Sequence, residues 1–457
     1  MIPAQDVVDL ALAAAATSGR ADETIVIVTD RSEAALRWAG NSMTTNGVAT
    51  SRSVAVISIV RQGDTARAAS VRSSAVDPAG IAALVTAAEN AAHAAPEAAD
   101  SAPLLTGTGE PADWGDPIPG TGAGAFAEVA RALSAGFGRD DTLYGFAHHV
   151  VETTFLATST GVRRRYVQPT GSVEINAKRD GASAWTGIST PWFADVPIEA
   201  MLDDLSLRLG WASKSVELPA GRYETLMPPS TVADMMIYLG WSMDGRGAQE
   251  GRTALSAPGG GTRVGERLSD LPLTLYSDPY APGLECAPFV HTAVGSERIS
   301  LFDNGMDIGR VDWIRDGAIN ALVYPRAAAA EFGTTPAVPA DNFLMTGGEK
   351  DLADMIAATE HGLLLTTLWY IRTVDPTTLL LTGLTRDGVY LIEDGEIVCA
   401  VNNFRFNESP LDLLRRATEA GIAETTLPRE WSDWATRAVM PTLRIPDFHM
   451  SSVSQAQ

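Results

Sequence analysis

Histidine, cysteine and acidic side chains set the first limits on what chemistry this chain can perform. Its six histidines are His93, His148, His149, His291, His361 and His449. A helical zinc peptidase needs two histidines on one face, commonly H-E-x-x-H, with a carboxylate to activate water. That spacing does not occur. The nearest constellation is His148-His149 with Glu152. Neighbouring strand residues point to opposite faces, so this reads as an ordinary strand pair with one ring exposed. The G-x-S-x-G elbow of serine hydrolases is absent, and so is a dinucleotide fingerprint. Gly259-Gly260-Gly261 lacks the Lys-Ser/Thr of a phosphate loop and reads as a flexible loop. The acid pairs Asp203-Asp204 and Asp351 with Asp354 read as solvated helix faces.

Two cysteines, Cys286 and Cys399, are too few for a disulfide framework and suit a reducing compartment. A catalytic thiol needs a base or a helix terminus to hold its thiolate, and none lies near Cys399 in sequence. A dispersed site built from His291, His361, Glu360 and Cys399 would make the chain an active peptidase of non-standard design. No spacing supports it.

Two stretches suit recognition better than catalysis. In TTLWYIRTVDP (366–376), alternation places Tyr370 and Arg372 on one face and Trp369 and Ile371 on the other. One reading is a core aromatic beside a surface arginine. The other is a lining for an extended peptide held by backbone pairing and side-chain pockets. Asn402, Asn403 and Arg405, in VNNFRF, pose the same choice. The candidate peptide-lining residues are therefore Tyr370, Arg372, Asn402, Asn403 and Arg405. No residue is assigned a catalytic or metal-binding role.

These segments need a scaffold. Chain order predicts a helix at the N-terminus, a β-rich TIVIVTD, then EAALRWAG leading to a tight turn at Asn46-Gly47. SVAVISIV follows as a strand, turned again at Gln62-Gly63-Asp64, and Asp77-Pro78 opens an Ala-rich helix. Residues 96–124 read as an exposed Pro/Gly-rich connection. Strands resume from Phe146, and IEAMLDDLSLRLGWASKSV follows as a helix. GRYETLM is a strand and PPSTVADMMIYLGWSM a helix; beyond Leu255 the pattern is overwhelmingly β, interrupted by helices at GEKDLADMIAATEHG and SPLDLLRRATEAG. Asp-Gly pairs in IRDGAI, TRDGVY and IEDGEI mark turns, because glycine tolerates positive φ. The expected fold class is α+β: a mixed α/β N-terminal domain (1–217) followed by a β-rich C-terminal domain (218–457).

Composition narrows the setting. The 457 residues suffice for two or three domains, and 45% are apolar, a normal globular fraction. The net charge of -22 argues against a nucleic-acid partner and against docking on anionic membranes. The N-terminus lacks the basic region of a signal peptide, and Asp6 and Asp9 interrupt its apolar run. No window reaches the roughly 18 apolar residues of a membrane span. A cytoplasmic protein is expected.

The order of these motifs resembles the TldD/TldE (PmbA) family, whose members are linked to modulation of DNA gyrase. The most specific part is LWYIRTVDPTTLLLTGLTRDGVYLIEDGEIVCAVNNFRFNESPLDLL, within residues 366–414. LPLTLYSDPYAPG, DIGRVDWIRDGAINALVYPRAAA and AGNSMTTNGVATSRSVAVISIV extend the likeness over most of the chain. In that family the TldD member resembles a zinc peptidase, with H-E-x-x-x-H on a helix after the central strand and a cysteine near its C-terminus. Here the corresponding helix, STVADMMIYLGWSM, holds no histidine, and no cysteine follows Cys399. The resemblance therefore implies a largely antiparallel curved-sheet C-terminal domain and a TldE-like, non-catalytic subunit of a heterodimeric zinc metallopeptidase. The zinc is expected in a TldD-like partner, and the substrate is an unfolded peptide. A stand-alone peptide-binding protein is a further alternative.

Overall fold

A computed structural model describes residues 2–74 and 77–454. Six strands form the first sheet: β1 (Glu23–Ala39), β2 (Met43–Gln62), β3 (Thr65–Ser73), β4 (Thr142–Thr158), β5 (Arg163–Arg179) and β6 (Ala182–Ser189), in the antiparallel order β3-β2-β1-β4-β5-β6. Four helices accompany it: α1 (Ala4–Ser18), α2 (Pro78–Ala94), α3 (Ala127–Gly136) and α4 (Ile198–Trp211). Asp77 caps α2 by accepting the Gly80 N–H at 3.0 Å, and Pro78 takes the first helical position.

Period-two alternation gives this sheet two apolar faces. Val26, Val28, Val54, Val56 and Phe155 pack under α1 and α2. Ile25, Ile27, Ile57, Ile59 and Leu156 face the other way, onto Phe289 and Phe302 from the second half of the chain. The far ends of β1, β4 and β5 form a third cluster with α3 and α4.

The predicted turn at Asn46-Gly47 is displaced. β1 runs on through EAALRWA, and the reversal comes at Gly40-Asn41, with φ of +61° and +58°. Asn46 and Gly47 lie inside β2, opposite Leu36 and Ala35. The strand continues because Ala34, Leu36 and Trp38 are buried against α3 and α4, contacts far away in sequence. The connection at 96–124 lacks long regular elements, but it is not wholly exposed. Ala102, Leu104 and Trp114 are buried, and the Trp114 ring meets Phe155 edge-on.

The second sheet holds β7 (Ser215–Val216), β8 (Gly221–Met227), β9 (Leu275–Ser277), β10 (Val311–Arg315), β11 (Ala318–Ile319), β12 (Phe343–Met345), β13 (His361–Leu365), β14 (Leu368–Asp375), β15 (Leu380–Thr385), β16 (Val389–Glu393), β17 (Glu396–Val401), β18 (Phe404–Glu408), β19 (Glu419–Thr426) and β20 (Ala438–Val453). It is largely antiparallel and curled, and β20 is its hub, pairing with β8, β12, β18 and β19. Its helices are α5 (Pro229–Ser242), α6 (Gly245–Gln249), α7 (Arg326–Glu331), α8 (Leu352–Ala357) and α9 (Pro410–Arg416). Residues 250–342 are less β-rich than their sequence suggests. Short strands and isolated bridges hold them, and ERISLFDNG forms a 3-10 turn (Leu301–Asp303) instead of a strand.

Two Asp-Gly pairs close hairpins as expected: Asp316-Gly317 and Asp394-Gly395 both have positive φ. Asp387-Gly388 does not close one, because it joins β15 to β16, which pair with other strands. Asp387 is buried at that corner, accepting a hydrogen bond from the Ser183 hydroxyl on β6 at 2.6 Å.

Candidate functional site

The family resemblance leads to the expectation that metal ligands, where a member has them, lie on helix α5. Pro229 begins it at the first helical position, and the Thr231 hydroxyl donates back to the Pro228 carbonyl at 2.9 Å. Every residue from Thr231 to Leu239 is buried, so the helix lies in the core instead of on a surface. At its far end the Arg298 guanidinium donates to the Gly240 carbonyl at 2.7 Å.

Asp234 is the one carboxylate on α5. It accepts the Glu430 N–H through Oδ1 at 3.0 Å, while its buried Oδ2 has no partner among the described residues. Burial pushes its carboxyl well above the usual range. Tyr238 donates its hydroxyl to the Ile371 carbonyl at 2.6 Å, and burial raises this phenol to about 12. Both side chains therefore tie neighbouring segments to the helix.

Those segments meet at Glu430. Its carboxylate accepts the Tyr370 N–H at 2.8 Å, the Ile371 N–H at 3.2 Å and the Arg372 guanidinium at 3.1 Å. A bulge interrupts β14 between Trp369 and Arg372, and Tyr370 sits there at a φ of +55°. Simple alternation therefore does not set the faces. Tyr370 and Arg372 still come together, the guanidinium lying 4.3 Å from the Tyr370 ring centre, and both are exposed. Ile371 is fully buried.

The other candidates divide. Arg372 is opposite Thr382 on β15, and Arg405 on β18 is opposite Leu384, so Arg372, Thr382 and Arg405 share the outward face of β14–β15–β18. Asn402 and Asn403 instead organise the β17–β18 connection. Asn402 Oδ1 accepts the Leu218 N–H at 2.6 Å, and Asn403 Oδ1 accepts the Thr385 hydroxyl at 3.1 Å.

Sequence reasoning missed the segment around Glu430. Arg429 is held between the rings of Trp185 and Trp369, at 4.8 and 5.3 Å from their centres. It also reaches Glu174 at 3.2 Å and Asp387 at 3.6 Å, joining the two sheets. Trp431 meets Trp241 of α5 edge-on at 4.7 Å. The available signal was REWSDW itself, a dense run of aromatic and charged residues just after Pro428.

Beside this segment a pocket of about 280 Å³ opens at the C-terminal end of α5. Its walls include Trp241, Trp313, Phe343 and Trp434, with Arg298, Asp341 and Arg437 as its charged members.

These residues do not fit a zinc site. Helix α5 offers one carboxylate, committed to a backbone N–H, and no imidazole or thiolate. Among the described residues, no three His, Cys, Asp or Glu side chains are grouped as ligands. The dispersed alternative set is not assembled either. His291 packs on Phe289, whereas His361 lies on β13 at 3.9 Å from Glu393. Burial pushes the Cys399 thiol up and carries Cys286 to about 12, the reverse of what a nucleophile requires. His149, buried and bonded to the Thr121 hydroxyl at 2.7 Å, and His148, near Glu33, point to opposite faces as expected of a strand.

The PmbA/TldA metallopeptidase C-terminal domain matches residues 220–452. No curated protein sequence matches. Among solved structures, TldE from Thermococcus kodakarensis superposes with a TM-score of 0.79 at 15% identity, covering 97% of this chain and 98% of that one. A proposed modulator of a DNA gyrase from Thermotoga maritima gives 0.75 at 15% identity, covering 97% and 99%. A similar protein from Bacteroides thetaiotaomicron gives 0.75 at 14%, covering 98% of each chain. At these identities the superpositions establish the fold. No helix among the described residues is long and apolar enough to cross a membrane.

Proposed function

The chain belongs to the PmbA/TldD family, and from that premise we propose that it is the non-catalytic, TldE-like partner subunit of a heterodimeric zinc metallopeptidase that degrades or processes unfolded peptides. One observation carries this reading. The helix that would present metal ligands is instead a buried core helix, whose polar residues Asp234 and Tyr238 are spent on holding Glu430 and β14. The zinc and its activated water would then belong to a TldD-like subunit.

Peptide handling is the role left to this chain. Strand β14 pairs with β15 alone among the described strands, so its outer edge is open beyond the Glu430 clamp. Backbone pairing along that edge would hold an extended peptide, with Tyr370, Arg372 and Arg405 supplying side-chain contacts. Asn402 and Asn403 support the strand connection behind them. The acidic composition and paucity of cysteine suit a cytoplasmic pair.

The test is to express the chain alone and with a TldD-like subunit, then assay cleavage of an unfolded peptide. The pair should co-purify and cleave, and the isolated chain should stay at background. Robust zinc-dependent cleavage by the isolated chain would overturn the proposal. A chain that binds peptide but captures no TldD-like subunit would point to a stand-alone binding protein.

A further inference from the structure

The pocket at the end of α5 has an unusual charge balance. Arg437 and Asp341 face each other in it at 2.7 Å and neutralise one another. Arg437 is further engaged by the Thr170 hydroxyl, so it has little capacity left. Arg298 differs. It donates to the Gly240 carbonyl, yet no carboxylate lies within ion-pairing distance of it among the described residues. A guanidinium carries five N–H donors, and capping the helix uses few of them. Asp244 is the acid whose field reaches Arg298. Its Oδ2 accepts the Gly247 N–H at 2.8 Å, its buried Oδ1 has no hydrogen-bond partner among the described residues, and burial raises its carboxyl, which favours the uncharged form.

The walls describe the rest of the ligand. Trp434 is 74% exposed and Trp241 43% exposed, a large aromatic area left facing solvent at the mouth. The pocket's volume of about 280 Å³ suits one residue, not a whole cofactor. An unpaired guanidinium beside bare aromatic walls is complementary to an apolar group that carries a carboxylate.

We infer that this pocket receives the C-terminal residue of a peptide, its free carboxylate on Arg298 and its apolar side chain against Trp241, Phe343 and Trp434. The inference rests on the peptide-handling reading above and adds to it a preference for free chain ends. Helix capping alone would explain the Arg298–Gly240 bond, but it would predict no such preference.

Calorimetric titration of the full chain, alone and co-expressed with its TldD-like subunit, tests this. Three probes are needed: a short peptide ending in Phe with a free carboxylate, the same peptide amidated, and N-acetylphenylalanine. The free acid should bind at least about tenfold more tightly than the amide, as expected for one charge-assisted contact. Arg298→Gln should abolish that difference. Should that variant misfold for want of its helix cap, Arg298→Lys retains a cation and should keep part of the preference. The exposed Trp434→Ala should weaken both peptides equally. Equal binding of acid and amide by the native chain would overturn the pocket assignment while leaving peptide handling intact. Preference for the amidated peptide, which would favour Asp341 as the anchor, would overturn it as well. N-acetylphenylalanine binding as tightly as the peptide would make this a small-carboxylate site and refute the peptide assignment. Failure of every peptide to bind, together with failure of the pair to form, would instead refute the reading on which it rests.

Discussion

At the residue scale, Glu430 and Asp234 distinguish structural from catalytic acidity. Glu430 satisfies two backbone N–H groups at a bulge and pairs with Arg372, whose side chain is 53% exposed. Truncating the acid leaves the Tyr370 and Ile371 N–H groups without their acceptor, whereas truncating the arginine removes only a solvent-screened ion pair. Glu430→Ala should therefore cost about 2–3 kcal/mol and Arg372→Ala under about 1 kcal/mol, as read by urea denaturation. Comparable losses would contradict the clamp. Asp234 makes a pH-dependent prediction. Because burial raises its folded pKa, the folded chain keeps a proton that the unfolded chain releases above about pH 4. The stability carried by the neutral form is complete below that pH and is lost as pH rises toward the folded pKa. Asp234→Asn should thus gain on the native chain between pH 4 and pH 7 in paired urea melts; a pH-independent difference would show that Asp234 is not held neutral. Legibility at this scale was uneven. The absence of ligands on α5 can be read directly, since a missing histidine needs no coordinates. The roles of Asn402, Asn403 and Glu430 could not be, because each is fixed by a partner far along the chain: Leu218, Thr385 and Asp234.

At the element scale, local signals located some boundaries and misplaced others. Asp77 caps α2 through a bond to the Gly80 N–H, as its place before Pro78 indicates, whereas Asp351, read in sequence as part of a solvated helix face, is the N-cap of α8 and accepts the Asp354 N–H. The first hairpin was not settled locally. Asn46-Gly47 has the better turn composition, but Gly40-Asn41 forms the turn because burial of Leu36 and Trp38 extends β1 past the sequence signal. Two glycine substitutions separate the alternatives. Gly40→Ala must adopt a φ of +61° and should cost about 1 kcal/mol. Gly47→Ala has open space around its Cβ within a strand and should be neutral or slightly stabilising. Thermal melts giving the reverse order would place the turn at Asn46-Gly47 after all. Alternation along β14 held for Tyr370, Ile371 and Arg372 but failed at Trp369, which the bulge sets opposite Leu384 on the face of Arg372; neither the bulge nor the Glu430 clamp is encoded within the strand.

At the scale of the whole molecule, the two sheets are joined by charged side chains set among aromatic rings, not by apolar contact alone. Arg429 links Glu174 and Asp387 while packed between Trp185 and Trp369. Its removal leaves buried Glu174 without its cation and Asp387 with Arg386 alone, so Arg429→Ala should cost on the order of 3 kcal/mol in urea melts. A loss below about 1 kcal/mol would mean that the sheets associate without it. The α+β class followed from strand periodicity and turn chemistry, whereas the curled antiparallel sheet was an expectation from the family resemblance. The join between the sheets did not, because it depends on residues 174, 185, 387 and 429 meeting in space. The joined scaffold presents a pocket and an open strand edge but no metal ligands on α5, which is the basis for assigning catalysis to another subunit. The most direct measurement uses the co-expressed pair with the histidines of the TldD-like subunit's H-E-x-x-x-H motif replaced, and follows hydrolysis of an unfolded peptide. The account predicts that the complex still forms and that cleavage falls to background. Zinc-dependent cleavage persisting in that complex would place a catalytic centre in this chain and contradict it.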